Sequence, residues 1–319
     1  MQAVIFNQYG GPEVLELVNL PQPTIAANQV LVRVKAVGLN PKDAALRAGM
    51  LKFLTGKQFP QRTGFDFSGV IVAIGDQVNN HQVGEEVFGY IEDLVGGAAA
   101  EFLAVKQDWI ATKPAGITHA EAAAMPCTYL TALQALRDKA KLQRGQKILI
   151  YGASGGVGTA AIQIAKHLGA VVTAVSSSKN QAYCAALAAD KTLAYDQGDV
   201  FEETQEKFDV FFQVHVLSGN LYSQACKLLK REGVFVTIEP NPLLGLQGVI
   251  RKLLGQPRLE SLLVKSNQQD LEAIAKLTEQ GALRPQVLQK LPLNDIAKAH
   301  KLIEEQHSRG KIVLEVNGD

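Results

Sequence analysis

The chain is poor in cysteine, with only Cys127, Cys184 and Cys226 in 319 residues. Odd in number and widely spaced, they supply neither a disulfide framework nor the paired spacing of a cysteine zinc site. An excess of either charge is also lacking: 32 Lys+Arg against 31 Asp+Glu leave a net +1. Such a chain has no field with which to hold a polyanion, which excludes nucleic acid as a partner on electrostatic grounds. No run approaches the roughly eighteen apolar residues of a membrane span. The start MQAVIFNQYG has neither the basic opening nor the apolar stretch of a secretory signal, so a cytoplasmic location is expected. What is present is ordinary globular material, 47% hydrophobic and 20% charged, in a length that predicts two domains.

Up to about Trp109 the sequence reads as short β-like runs, VLELV, QVLVRVKAVG, FSGVIVAIG, EEVFGY and AAAEFLAV, punctuated by Gly10-Gly11-Pro12, Pro21-Gln22-Pro23 and Gly96-Gly97. These predict a mostly antiparallel, barrel-like domain. From Thr118 the character changes. Thr118 and Glu121 have capping-box spacing before an alanine-rich helical run. Strands KILIYG, AVVTAV, DVFFQV and GVFVTI then alternate with helices near 156–167, 181–188 and 221–229, and a further apolar run near 262–265 precedes a helix near 269–280. Alternation of this kind predicts an α/β fold with a doubly wound parallel sheet. The closing segments VLQKLPL, a helix over 295–305 and KIVLEV resemble the first domain, to which the chain is expected to return. The predicted division is 1–117 with 284–319, and 118–283.

Directly after KILIY stands Gly152-Ala153-Ser154-Gly155-Gly156-Val157-Gly158, followed by a helical run. A glycine turn between strand and helix lets backbone N–H groups approach a pyrophosphate, although Ala153 takes the place of the first glycine of the strict dinucleotide pattern. Gly152-Ala153-Ser154-Gly155-Gly156 equally matches a Gly-x-Ser-x-Gly nucleophile elbow, with Ser154 as nucleophile and Asp209, His215, His300 and His307 as candidate partners. The glycine spacing also suits short-chain dehydrogenases, but no tyrosine here has a lysine four residues later. At the end of the next strand, Ser176-Ser177-Ser178-Lys179 offers hydroxyls and an ammonium where an acid would select NAD. Charge-assisted hydrogen bonds of on the order of 1.5–3 kcal/mol each would favour a 2′-phosphate there, so NADPH is the expected cofactor.

These residues, together with VKAVGLNPKDAALRAG, GFDFSGVIVAIG, GEEVFGY, EFLAV, Leu130-Thr131-Ala132 and the closing RGKIVLEV, resemble the zinc-independent quinone oxidoreductase branch of the medium-chain dehydrogenase/reductase superfamily over nearly the whole length. The resemblance implies a GroES-like β-barrel catalytic domain with a Rossmann domain inserted in it. It implies that the three zinc ligands of metal-dependent relatives fall on Asn40, Phe65 and Cys127, of which only one retains a soft donor, and that these residues line the substrate pocket. One ligand cannot hold zinc, which takes about three protein ligands even at an open site.

It further implies Asn40 and Thr131 beside the nicotinamide, and Ser154, Gly155, Gly156 and Val157 at the pyrophosphate. Ser177 and Lys179 would face the 2′-phosphate, Tyr195 the adenosine, and Ile238 and Lys311 the cofactor from a later strand and from the tail. A small-molecule substrate and a homodimer are the implied partners. Without a metal to polarise a carbonyl, alcohol oxidation is disfavoured and hydride delivery to a conjugated acceptor is favoured. The expected activity is NADPH-dependent reduction of quinones or α,β-unsaturated carbonyl compounds; a serine hydrolase on Ser154 and a non-catalytic NADP-binding protein are the alternatives. Asp43, Tyr129 and solvent are open candidates for the proton donor. Met50, Leu51, Phe53 and Leu54, expected to pack against the barrel, are otherwise an apolar lip for a bulky substrate.

Overall fold

The structure, a computed structural model, describes residues 1–214, 221–239, 255–305 and 309–316. The first compact unit comprises Met1–Leu130 and Lys265–Asp319, the second Thr131–Val264. The sequence pattern divides the chain at 117/118 and 283/284 instead. Packing accounts for the difference, since helix His119–Ala123 lies against the strands of the first unit and helix Gln268–Glu279 against its strand Ile110–Thr112. The capping box forms as the spacing predicts: Thr118 N–H donates to Glu121 Oε2 at 2.8 Å and Glu121 N–H to Thr118 Oγ1 at 3.2 Å. The long alanine-rich helix is two helices, His119–Ala123 and Pro126–Gln134, separated where Pro126 removes a backbone donor.

The first unit opens with strands β1 (Gln2–Phe6), β2 (Leu15–Asn19), β3 (Gln29–Gly38), β4 (Gln61–Arg62), β5 (Asp66–Ile74), β6 (Glu86–Tyr90), β7 (Phe102–Lys106) and β8 (Ile110–Thr112). The second holds β9 (Lys147–Tyr151), β10 (Val171–Ser176), β11 (Lys191–Ala194), β12 (Phe208–Gln213), β13 (Leu229–Thr237) and β14 (Arg258–Ser261). The chain then returns to the first unit with β15 (Val287–Pro292) and β16 (Lys311–Glu315).

In the first unit β15-β16-β3-β5-β6-β8 form one sheet, with β7 also on β3, and β2-β1-β4 form a smaller one. The pairings of β3 with β16, β5 and β7 are antiparallel, as are β5 with β6 and β6 with β8. Leu39 N–H donates to Ile312 O at 3.0 Å, so the tail strand runs beside the end of β3 and sets Lys311 close to Asn40.

The second unit is one parallel sheet in the order β11-β10-β9-β12-β13-β14, which begins at the centre and reverses beside β9. Its central strands β9, β10 and β12 read as near-continuous apolar runs, the pattern of parallel strands buried on both faces. Phe208, Phe211 and Phe235 are fully buried in its core, each such side chain contributing roughly 1.5–3 kcal/mol. Among the described residues no helix is long and apolar enough to cross a membrane.

Helix Ile296–Glu304 of the first unit carries a fully buried imidazole, His300, neither of whose nitrogens has a hydrogen-bond partner among the described residues. Burial, and after it the nearby Arg47 guanidinium, lower its pKa to about 4 against the opposing pull of Glu304, which is ion-paired to Arg47. A depressed pKa means that the unfolded chain takes up this proton while the folded chain does not. Stability from this group is therefore complete above about pH 6.5 and falls as the pH drops toward 4. The loss is about 3 kcal/mol across that window. We expect His300→Leu to show a correspondingly smaller acid loss than wild type in urea unfolding at pH 7 and pH 4. Fluorescence of Trp109, the single tryptophan, reports this unit alone. Equal losses in the two proteins would refute the assignment.

Candidate active site

Two sets of residues emerge, one on each unit. In the first unit the end of β3 feeds Asn40 into helix Pro41–Arg47, with Pro41 at the first helical position and Asp43 in the first turn. Asp43 is fully buried and its carboxylate is consumed by the loop around it: Oδ1 accepts from Thr63 Oγ1 at 2.8 Å and Gly64 N–H at 2.7 Å, Oδ2 from Asn40 N–H at 2.8 Å. Burial pushes its pKa up and these donors pull it back. The residue pins one loop to another. Tyr129, the other side chain considered as a proton donor, is also buried and gives its hydroxyl proton to Arg284 O at 2.6 Å.

Beside this pin lies a buried charge cluster. Lys311 Nζ donates to Asn40 Oδ1 at 2.6 Å and to Asp66 Oδ2 at 3.0 Å. The same Asp66 oxygen accepts from Asn40 Nδ2 at 3.0 Å, and Asp66 Oδ1 accepts from Cys127 N–H at 2.8 Å. Asn40, Asp66 and Lys311 are 4%, 0% and 6% exposed, so the ion pair is desolvated on both sides. Burial drives the Asp66 carboxyl upward, and the Lys311 ammonium, the Asn40 amide and the Cys127 N–H hold against it. An ammonium at 3.0 Å and two further donors are the surroundings of a carboxylate rather than a carboxylic acid.

On the rim of this cluster sits Lys42. Its ammonium lies 3.8 Å from the centre of the buried Phe65 ring, and it donates to Tyr90 Oη at 3.2 Å and Asp93 O at 3.1 Å. Burial lowers its pKa, against the pull of Cys127, Asp43, Asp66 and Asp93. Lys42 and Asp66 are the residues that sequence reasoning missed. Their signal was their placement inside the Asn40-Pro41-Lys42-Asp43 and Gly64-Phe65-Asp66 motifs. Met50, Phe53 and Leu54, expected to pack on the barrel, are instead 76%, 92% and 64% exposed.

The second set gathers at the carboxyl ends of β9, β10 and β11. Gly152 turns the chain out of β9 at φ +91°, which a side-chain-bearing residue rarely adopts, and the next residue, Ala153, is fully buried with its N–H on Val175 O at 2.9 Å. A Cβ on Gly158 would meet Gly152 O at 2.4 Å, so glycine there lets the helix close onto the turn. Helix Gly156–His167 begins at Gly156 with Gly155 as its cap, leaving the N–H groups of Gly156, Val157 and Gly158 without a carbonyl one turn back. Such a start, with its dipole, suits a pyrophosphate.

Ser154 Oγ accepts from Asn180 Nδ2 at 3.1 Å, tying the glycine turn to the loop after β10. In that loop Ser177 is buried and Lys179 exposed. The half-exposed Tyr195 stacks on Tyr151, centroids 6.4 Å apart. An acid is present after all: Asp196 Oδ1 accepts from Ser178 N–H at 2.7 Å and Oδ2 from Ser178 Oγ at 2.9 Å. Thr131 is buried in helix Pro126–Gln134, and half-buried Ile238 follows β13.

The chain matches the alcohol dehydrogenase GroES-like domain over residues 26–115 and a zinc-binding dehydrogenase family over residues 187–314. It is 33% identical to a chloroplast envelope quinone oxidoreductase homolog of Arabidopsis thaliana, covering 99% of this chain and 98% of that protein. The chain belongs to the quinone oxidoreductase branch of the medium-chain dehydrogenase/reductase superfamily. It is also 32% identical to an NADPH-dependent alkenal/one oxidoreductase of the same plant, over 98% of this chain and 79% of that one. A solved structure of the quinone oxidoreductase of Coxiella burnetii superposes with a TM-score of 0.91 at 32% identity, covering 99% of both chains.

Within this superfamily one matching domain family is described as zinc-binding, and the residues here do not suit that ion. Phe65 has no donor atom, the Asn40 amide oxygen is taken by an ammonium at 2.6 Å, and Cys127 alone offers a soft ligand. Among the described residues no three histidine, cysteine or acidic side chains cluster in a ligand-like group. The dinucleotide, by contrast, fits: Gly155, the helix cap, leaves open the space that a Cβ would fill, with only Gly152 O within 4 Å at 3.7 Å, and the helix start presents its first N–H groups at the same turn.

The serine hydrolase alternative finds no support. Ser154 bonds an amide, Asp209 is held by Lys147 N–H at 2.9 Å and Lys230 Nζ at 2.8 Å, and His300 is buried in the first unit. His215 and His307 lie outside the described residues.

Proposed function

We propose that this oxidoreductase reduces quinones and α,β-unsaturated carbonyl compounds at the expense of NAD(P)H, with NADPH as the favoured cofactor. The observation that carries the reading is the buried Asn40–Asp66–Lys311 cluster, which occupies with hydrogen bonds the region where a zinc dehydrogenase keeps its ligands. Simple alcohols and ketones then lack a Lewis acid to bear the oxyanion, whereas a conjugated acceptor spreads the arriving charge over an enolate or hydroquinone. The names of the relatives support the same chemistry.

The second unit would hold the dinucleotide: Ser154, Gly155, Gly156 and Val157 at the pyrophosphate, Tyr195 at the adenosine, and Ser177 with Lys179 toward a 2′-phosphate. When bound, the nicotinamide supplies the hydride. In the first unit, Lys311 and Asp66 fix the Asn40 amide in one orientation. Phe65 and Tyr90 give Lys42 an apolar floor, and its ammonium, made more acidic by burial, holds a proton for a developing oxyanion or enolate carbon.

Oxidation of NADPH by the purified protein should proceed with 2-alkenals, enones and benzoquinones and not with saturated aldehydes. Failure of every conjugated acceptor would overturn the proposal.

A further inference from the structure

The adenosine end of the nucleotide site carries two opposite charges on adjoining loops, Lys179 after β10 and Asp196 after β11. Lys179 is exposed directly after Ser178, and Asp196 is brought against Ser178 from the neighbouring parallel strand by the bond from Tyr195 N–H to Ser176 O, 3.1 Å. Asp196 takes both donors that Ser178 possesses, the N–H at 2.7 Å and the hydroxyl at 2.9 Å. The acid expected at the end of the second strand of an NAD-binding sheet is therefore supplied here by the third.

These contacts have opposite consequences for the two cofactors. A 2′-phosphate carries a charge near −2 and only acceptor oxygens at neutral pH, so it must do without the Ser178 donors or displace Asp196, and it meets a like charge in either case. A 2′-hydroxyl has a proton to give to a carboxylate and meets no repulsion. Lys179 pulls the other way, and its ammonium lies near enough to Asp196 to help hold that carboxyl below its usual range, after the hydrogen bonds from Ser178.

We infer that Asp196 is a specificity-determining residue of the nucleotide site, limiting the preference for NADPH that Lys179 creates. The inference rests on the dinucleotide reading given above.

The test is calorimetric titration of the intact protein with NADPH and with NADH, for wild type, Asp196→Asn and Lys179→Ala. Asp196→Asn keeps an acceptor for Ser178 N–H and removes the charge. It should raise the ratio of NADPH to NADH affinity about tenfold. Because Asp196 is exposed, the gain should shrink as salt is raised from 50 mM to 500 mM. Lys179→Ala should lower the same ratio.

If Asp196 only braces the loop, its substitution will change both affinities alike or neither, and the inference is overturned while the cofactor reading stands. If wild type binds neither nucleotide, the cofactor reading itself falls. A shift of the ratio in the stated directions supports both.

Discussion

Replacing Lys311 by Met is expected to cost the barrel-like unit about 3–5 kcal/mol. The substitution preserves the length of the stem, and the loss arises from what it leaves behind. Asp66 is 0% exposed, and without the ammonium at 3.0 Å its carboxylate retains only the Asn40 amide and the Cys127 N–H. Neither donor carries a charge, and a carboxylate uncompensated in a buried site must either unfold its surroundings or take up a proton.

The Lys311→Met/Asp66→Asn double variant removes both charges and should regain most of the loss, because the penalty belongs to the unpaired ion and not to the missing attraction. Urea unfolding at pH 7, followed by Trp109 fluorescence, separates the cases. A single-variant loss below about 1 kcal/mol, the size of an exposed ion pair, would show that the pair is solvated after all. A double variant as unstable as the single one would show that Lys311 acts through packing.

The same cluster shows how far the sequence could be read. Asn40 and Lys311 were both recognisable as site residues, but they stand 271 positions apart and meet only because β16 pairs with the end of β3. Asp66 and Lys42 fell inside quoted motifs without being singled out. Asp66 meets its partners because β5 pairs with the end of β3, and Lys42 because its helix brings it over Phe65 and Tyr90, and both are tertiary facts. Local features were legible where local physics sets them. β3 and the helix Gly156–His167 occupy the predicted residues, since both rest on an unbroken apolar pattern ended by turn residues.

β11 was missed because four residues at the sheet edge, one of them buried, carry almost no pattern. With β11 unseen, Asp196 could not be placed at the end of β10, although that juxtaposition decides the charge of the nucleotide loop. The exposed run Met50, Phe53 and Leu54 misled in the opposite direction, because hydrophobicity predicts burial only on average.

Lys42→Met should lower kcat for an enone substrate by about 100-fold while leaving NADPH affinity near that of wild type. Asp43 has both oxygens occupied by donors and Tyr129 has committed its proton to Arg284 O, so neither is available to a substrate. Lys42 is half-buried over Phe65 and keeps three protons on Nζ, two of them directed to Tyr90 Oη and Asp93 O. Methionine retains an apolar stem against the ring and removes the acid, so a purely packing role predicts little change.

The pH profile distinguishes the two roles. A proton source works while protonated, and its contribution disappears as the pH rises through its pKa. Burial places that pKa below the usual 10.5 of lysine, so wild-type kcat should fall along an alkaline limb that begins below 10.5. Lys42→Met should have a low, flat profile over that range, and Lys42→Arg should push the limb upward with partial activity, since a guanidinium stays charged. An unchanged limb in Lys42→Met would assign the titration to another group, and an unchanged kcat would remove Lys42 from the chemistry altogether.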